Sequence, residues 1–198
     1  MSLITKKIET QAFEIVRDLI GYILKDELES QKIIHGFADE INLYVGRSTS
    51  FNQSEKLMIN VSLDSANYTN RNQRSTSGTT QYYIDIFTTA KESENELGGT
   101  ASSRNRDKFV GLCRSILSDT HYKTLSLPAG TIASAGIEGF ENFNAADQKD
   151  SSFVTAGRLI YTVKLIEEQS LWDGVEINAI FTDIKLELTE KGYKYIKD

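Results

Sequence analysis

The stretch KLMINVSLDSANYTNRNQRSTSGTTQYYIDIFTT, residues 56–89, decides the fold class of this chain of 198 residues. Apolar and polar side chains alternate over residues 56–64 and again over residues 81–89, which is the period of a β-strand with one buried face. The polar run between them, residues 65–80, contains no acidic residue. It exceeds the roughly two to five residues of an ordinary hairpin turn. We therefore expect two strands joined by a long loop at residues 68–80.

Two amphipathic helices are predicted outside this stretch. Apolar residues recur at three- and four-residue steps over residues 5–25, and the charged segment 25–32 is expected to end that helix. A second helix is expected over residues 106–117, with Ser102 or Ser103 as a candidate N-cap because a serine hydroxyl accepts a hydrogen bond from a free backbone N–H. The apolar face of the second helix consists of Phe109, Leu112, Cys113 and Ile116.

Four further segments have strand character. They are a short strand at 41–46, a glycine-spaced and therefore twisted or bulged strand at 131–143, a long strand at 153–168 and a final strand at 174–189. Helices and strands are segregated along the chain, which favours an α+β domain over alternating βα units. We predict a mostly antiparallel, twisted β-sheet with two main helices packed on one side. The chain is predicted to form a single domain, 1–198, with residues 168–198 as a C-terminal strand extension of the core fold.

The composition disfavours several classes of function. The formal net charge is −6, and an acidic surface repels nucleic acid phosphates and anionic membranes. No apolar run approaches the roughly 20 residues of a membrane-spanning helix, so no membrane partner is expected. The chain contains one cysteine, which excludes an internal disulfide.

No constellation of residues in the sequence predicts catalysis. Cys113 lies on an apolar helix face, where a buried structural thiol is the expected state. His35 and His121 lie in connecting segments far apart in the sequence, and the glycines match neither phosphate-binding loop pattern. Trp172 is expected to cap the core. We predict no catalytic residue, no cofactor and no metal site, and hence no enzyme.

The predicted interface residues are Tyr68, Arg71, Asn72 and Arg74, which lie in the long polar segment. Two interpretations of its arginines remain open. Either they contact a phosphate or an acidic protein surface, or the segment is simply a solvated loop.

The order of elements resembles that of the tail-terminator proteins of long-tailed bacteriophages and of their relatives among minor tail and head–tail joining proteins. The resemblance covers residues 5–167: an N-terminal helix, two strands, an acidic connector, a second helix and a closing strand pair. The connector pattern of that family is matched by Ile84, Ile86, Thr88, Ala90, Glu92 and Glu94. Two departures are the additional strand at 174–189 and a longer connector at 26–55, which also fit a related neck protein.

The resemblance implies a structural virion-assembly protein that forms a ring, typically a hexamer, caps the tail tube and docks to the head through protein–protein contacts. Its partners would be copies of itself and the tail-tube and head or neck proteins. It would be located in the tail or neck of the virion, and in the bacterial cytoplasm during assembly. DNA would pass through an acidic lumen without specific binding. The alternative is a small-ligand or carbohydrate-binding β-rich module without catalysis, with Tyr82, Tyr83 and Tyr161 lining a groove.

Overall fold

The computed structural model of the protein describes residues 10–38, 40–48, 55–71, 75–92, 97–143, 152–168, 180–185 and 192–197. The chain divides into two compact units. The larger unit, Lys7–Gln169, holds two helices and a five-stranded sheet. In the smaller unit, the structure describes a two-stranded antiparallel ladder. The prediction of one domain with a strand extension at 168–198 stays a prediction.

The five strands of the larger unit form one mixed sheet in the order β1-β2-β3-β5-β4. Their bounds are Asn42–Val45 (β1), Leu57–Arg71 (β2), Ser75–Lys91 (β3), Ile132–Phe143 (β4) and Ser152–Glu168 (β5). The short β1 pairs with β2 in parallel, and every other pairing in the sheet is antiparallel. The α+β class and the mostly antiparallel sheet are therefore confirmed.

Both helices pack against one face of this sheet. Helix α1 spans Ala12–His35 and helix α2 spans Gly98–Ser118. Cross-strand neighbours such as Ile59 with Ile86 and Ile84 with Leu159 bring alternate apolar side chains to a shared face. One hydrophobic core forms there. Its fully buried side chains include Val16, Ile20, Leu24, Ile59, Ile84, Cys113, Leu159 and Val163.

Helix α1 is longer at its C-terminal end than the sequence predicted. The expected end at 25–32 is wrong, because buried Leu28 continues the apolar stripe of Ile20 and Leu24 at four-residue steps. The helix ends only at Gly36, which adopts the left-handed conformation that glycine tolerates without steric cost. Residues 5–9 of the predicted helix lie outside the described residues.

Helix α2 begins before both candidate capping serines, so neither Ser102 nor Ser103 is its N-cap. Leu97 is the N-cap, and Ser102 lies inside the helix, fully buried. The Ser102 hydroxyl donates to the carbonyl oxygen of Thr88 at 2.8 Å and also lies 2.8 Å from the Thr155 hydroxyl. A serine that appeared to be a cap therefore anchors α2 to the central strands.

The long loop predicted at residues 68–80 is mostly strand. β2 runs to Arg71 and β3 begins at Ser75, with register shifts after Leu63 and Tyr68. Polar residues remain in the ladder because β5 pairs with β3 from Ser75 onward, which supplies backbone hydrogen bonds on both sides of β3. At Gly78 a Cβ would lie only 2.4 Å from the carbonyl oxygen of Asn67, so the close backbone approach requires glycine.

The remaining strand predictions are largely confirmed. The glycine-spaced strand is β4, which carries the expected irregularities after Ile132 and Ile137. Within the predicted strand at 174–189, the structure describes β6, Ile180–Lys185, which pairs with β7, Gly192–Lys197. Residues 174–179 and 186–189 lie outside the described residues. The sequence did not lead us to predict β7, although its six residues, GYKYIK, include two tyrosines and an isoleucine, which are common in strands. Trp172 lies outside the described residues.

Candidate interaction surfaces

The predicted interface residues lie at one end of the β2–β3 ladder. Tyr68 is half-buried opposite Gly78, and its burial raises the pKa of its hydroxyl. Arg71 is the last residue of β2 and pairs with Thr76 of β3. Asn72 and Arg74 lie outside the described residues. The structure thus places Tyr68 and Arg71 near one sheet corner, and the role of all four residues as an interface stays a prediction.

Two dissimilar strand edges of the sheet are open within the part of the chain that the structure describes. β1 pairs only with Met58–Val61 of β2, so the outer edge of β2 from Ser62 to Arg71 has no strand beside it. On the opposite side of the sheet, β4 is the terminal strand along its whole length. Unpaired N–H and C=O groups on such edges are templates for a strand from another chain.

A charged cluster lies on the sheet face opposite the helices. The Arg158 guanidinium donates to both carboxylate oxygens of Asp85, at 2.6 Å from Nε and 2.9 Å from the second nitrogen. The Cζ atom of Arg158 lies over the Tyr83 ring, 3.9 Å from the ring centroid. The bond to Asp85 is the main reason that the pKa of Arg158 is raised, and the geometry pins β3 to β5.

Sequence reading missed this cluster. An acid and an arginine each interrupt an apolar strand, at Asp85 in YYIDIF and at Arg158 in AGRLIY. These two charged residues within apolar strands could have predicted a polar contact on the sheet. However, only the strand register shows that the two residues are direct cross-strand neighbours.

A second buried carboxyl lies beside the N-terminal turn of α1. Glu167 is 7% exposed, and its Oε1 atom has no hydrogen-bond partner among the described residues. Burial raises the pKa of Glu167, while the backbone N–H of Phe13 opposes that shift by bonding to the carboxylate. The Tyr82 hydroxyl donates to the carbonyl oxygen of the same Phe13 at 2.9 Å. The first turn of α1 is therefore anchored to β3 and β5 by polar groups.

The three tyrosines of the alternative ligand-groove hypothesis do not share a surface. Tyr82 and Tyr161 are fully buried in the core beneath the helices. Tyr83 lies on the opposite face of the sheet, stacked with Arg158. A binding groove lined by all three rings is therefore excluded by the geometry.

A groove separates the C-terminal half of α1 from the end of α2. Its volume is about 320 Å³, and two of its lining residues belong to the 3₁₀ turn Thr120–Tyr122. Its lining side chains are Glu27, Gln31, Leu112, Ser115, Ile116, Asp119, His121 and Tyr122. The Tyr122 hydroxyl donates to the Glu27 carboxylate, which is the main reason that the pKa of Tyr122 is raised to about 12. Sequence reading missed this site because its residues come from segments about 90 positions apart.

The single cysteine of the chain is not accessible at the surface. Cys113 is fully buried, and burial raises the pKa of its thiol to about 12, so the thiolate is scarce at neutral pH. Among the described side chains, no cluster of three or more histidines, cysteines and acids is placed to hold a metal ion. Neither of the two described helices is long and apolar enough to cross a membrane. Comparison with protein-family models and with curated proteins finds no match to this chain.

Proposed function

We propose that this protein is a structural assembly subunit that associates with copies of itself into a ring, as a tail-terminator or head–tail joining protein of a long-tailed phage does. The observation that carries the proposal is the pair of dissimilar open edges, β2 beyond Val61 and β4, on opposite sides of one sheet. The resemblance in element order, from the first helix to β5, supports the phage assignment.

The two edges favour a ring over a symmetric dimer. When the β4 edge of one subunit pairs with the β2 edge of the next, different surfaces meet, and each subunit keeps one free edge for a further copy. Such a head-to-tail contact closes into a ring if the rotation between neighbours permits it. In this proposal the ring caps the tail tube and meets head or neck proteins. Its acidic subunits, each of formal charge −6, let DNA pass without adhering.

Proline substitutions at bulged edge positions test the edge contact. Thr69 and Glu138 are the residues skipped by the register shifts in β2 and β4, and both are exposed. Proline is tolerated at bulges and edges, but it removes an N–H that an added strand would use. We expect native mass spectrometry of the wild-type protein to show a ring-sized species that grows with concentration. Thr69→Pro and Glu138→Pro should each reduce it at least about tenfold, a change equivalent to roughly 1.4 kcal/mol.

The matched controls are Thr69→Ala and Glu138→Ala, which keep the backbone N–H and should assemble like the wild-type protein. Circular dichroism checks that the proline variants remain folded. A wild-type protein that stays monomeric at every concentration, alone and on isolated tail tubes, contradicts the proposed function. Rings formed equally well by the folded proline variants contradict the edge contact.

A further inference from the structure

We propose that the groove between α1 and α2 is a docking site for an arginine side chain presented by a partner protein. This inference is independent of the proposed edge contact, because no lining residue of the groove belongs to β2 or β4.

The shape of the groove suits one long side chain. The helices run antiparallel, since Tyr122 beyond the end of α2 meets Glu27 of α1, whereas Phe109 earlier in α2 meets Phe37 beyond the end of α1. The volume of about 320 Å³ is at the lower limit of ligand pockets, which span about 300–1,000 Å³. One side chain projecting from a neighbouring surface fits this space better than an extended peptide does.

The charge of the groove selects a cation. Glu27 and Asp119 line it, and the lining residues that the structure describes include neither lysine nor arginine. The hydrogen bond to Glu27 and burial are the two largest causes of the raised pKa of Tyr122. The negative charges of Glu27, Asp119 and Asp26 raise this pKa further, so three carboxylates act on one hydroxyl. A cationic side chain would be attracted by all three.

Each lining carboxylate keeps an oxygen for a ligand. One oxygen of Glu27 accepts from Tyr122, and Oδ1 of Asp119 accepts from the backbone N–H of His121 at 2.8 Å. For the second oxygen of each, no partner is found within the described part of the chain. A guanidinium group has five N–H donors in a fixed planar arrangement, so it can bond to two carboxylates at once.

The apolar part of the groove matches the stem of an arginine better than a small cation. Leu112 and Ile116 lie on the α2 side, where they can cover a methylene chain whose charged end reaches the carboxylates. On α1, Glu27, Gln31 and Ile34 share one helix face because they are four and seven residues apart. Ile34 is 69% exposed, so an apolar surface continues past the groove for the residues flanking the arginine.

The aromatic groups favour arginine over lysine. His121 and Tyr122 line the groove, and their ring centroids are 5.0 Å apart with nearly perpendicular planes. A planar guanidinium group stacks on aromatic faces, whereas the compact lysine ammonium ion is more strongly hydrated and harder to remove from water.

The test is an NMR titration of the full chain with N-acetyl-arginine methylamide at constant ionic strength. We expect saturable shifts of backbone amide signals concentrated at Leu112, Ser115 and Tyr122. The citrulline analogue, which has the same shape without the charge, should produce no saturable shifts. Shifts spread evenly over surface carboxylates, or equal binding of the citrulline analogue, would overturn the proposal.

The deciding variant is Glu27→Gln with Asp119→Asn. Both amides keep the oxygen that accepts from Tyr122 or from the His121 backbone, so the groove should keep its shape while it loses its charge. We expect the affinity for the arginine probe to fall at least about tenfold. The control pair Glu29→Gln with Glu138→Gln changes the net charge equally at exposed positions outside the groove. The proposal fails if the groove variant binds like the wild-type protein, or if the control pair weakens binding to the same extent.

Discussion

At the scale of single residues, the polar groups that organise this protein are those that interrupt apolar strands. Asp85 and Arg158 satisfy each other across β3 and β5, and Ser102 bonds to Thr88 and Thr155. Breaking a buried charge pair by removing one partner typically costs about 3–5 kcal/mol, whereas an exposed pair contributes less than about 1 kcal/mol. The Arg158 side chain is 30% exposed and that of Asp85 is 11% exposed. We therefore expect the energetic cost of removing one of these two partners to lie between the two limits.

Glu167 provides a pH-dependent prediction at the same scale. Its pKa in the fold is raised above the ordinary value of 4.5, so unfolding releases a proton between those two values. The contribution of Glu167 to the free energy of unfolding is therefore highest below pH 4.5 and falls as the pH rises through the raised pKa. Glu167→Gln removes this titration, and we expect the variant to lose less stability than the wild-type protein over that interval. Urea unfolding followed by circular dichroism between about pH 4 and 8 measures the difference.

The control for this experiment is Glu138→Gln, which removes an exposed carboxyl from β4. Its stability should follow that of the wild-type protein at each pH. Parallel stability curves for the wild-type protein and the Glu167→Gln variant would show that Glu167 is not the group responsible.

At the scale of elements, the sheet is organised around β3, which has a strand on each side from Thr76 to Thr88. Its polar residues remain in a strand because the backbones of β2 and β5 bond to its N–H and C=O groups, which does not depend on the side chains.

The position of helix α2 depends on a close approach at its first residue, Gly98, as well as on the packing of its apolar face. A Cβ on Gly98 would lie 2.5 Å from the Phe153 ring and 2.9 Å from the backbone nitrogen of Glu92.

Two glycines of α2 therefore give opposite predictions for the same substitution. Gly98→Ala forces the start of the helix away from its neighbours, and we expect a loss of roughly 1–3 kcal/mol in the free energy of unfolding. At Gly111 a Cβ meets no atom within 4 Å, so alanine should stabilise the protein by about 0.5–1 kcal/mol through helix propensity. Denaturant unfolding of both variants measures the contrast. Equal effects of the two substitutions would contradict the close approach at Gly98.

At the scale of the whole molecule, surfaces available to partners are distributed over different parts of the fold. The open strands are at the two sides of the sheet, the acidic groove is between the helices, and Arg71 is at the far end of β2. In an acidic protein, the segment 65–80 is distinctive because it contains arginines and no acid. An interface there would attract an acidic surface on a neighbouring copy or on a tail protein.

The double substitution Arg71→Glu with Arg74→Glu tests this segment. We expect it to reduce the ring-sized species in native mass spectrometry about tenfold or more. The introduced glutamates would repel the acidic surface that the arginines are proposed to contact. The fold should persist in circular dichroism. The control Lys25→Glu with Arg114→Glu reverses two charges at exposed helical positions, and it should assemble normally. Normal assembly of the Arg71/Arg74 variant would show that the segment is not an interface.

The fold class of this protein was predictable from its sequence, as were the apolar face of α2, the irregular β4 and the buried thiol of Cys113. Each of these follows from local periodicity or composition, which reports which side of a segment is buried. The length of α1, the strand state of residues 68–71 and 75–80 and the role of Ser102 were decided only by the tertiary structure, because neighbouring elements supply the burial and the hydrogen bonds. The pairing of Asp85 with Arg158, the open edges and the acidic groove depend on register and on contacts between distant segments. Local sequence patterns do not encode these contacts, since a shift of one residue along a strand would exchange the two faces of the sheet.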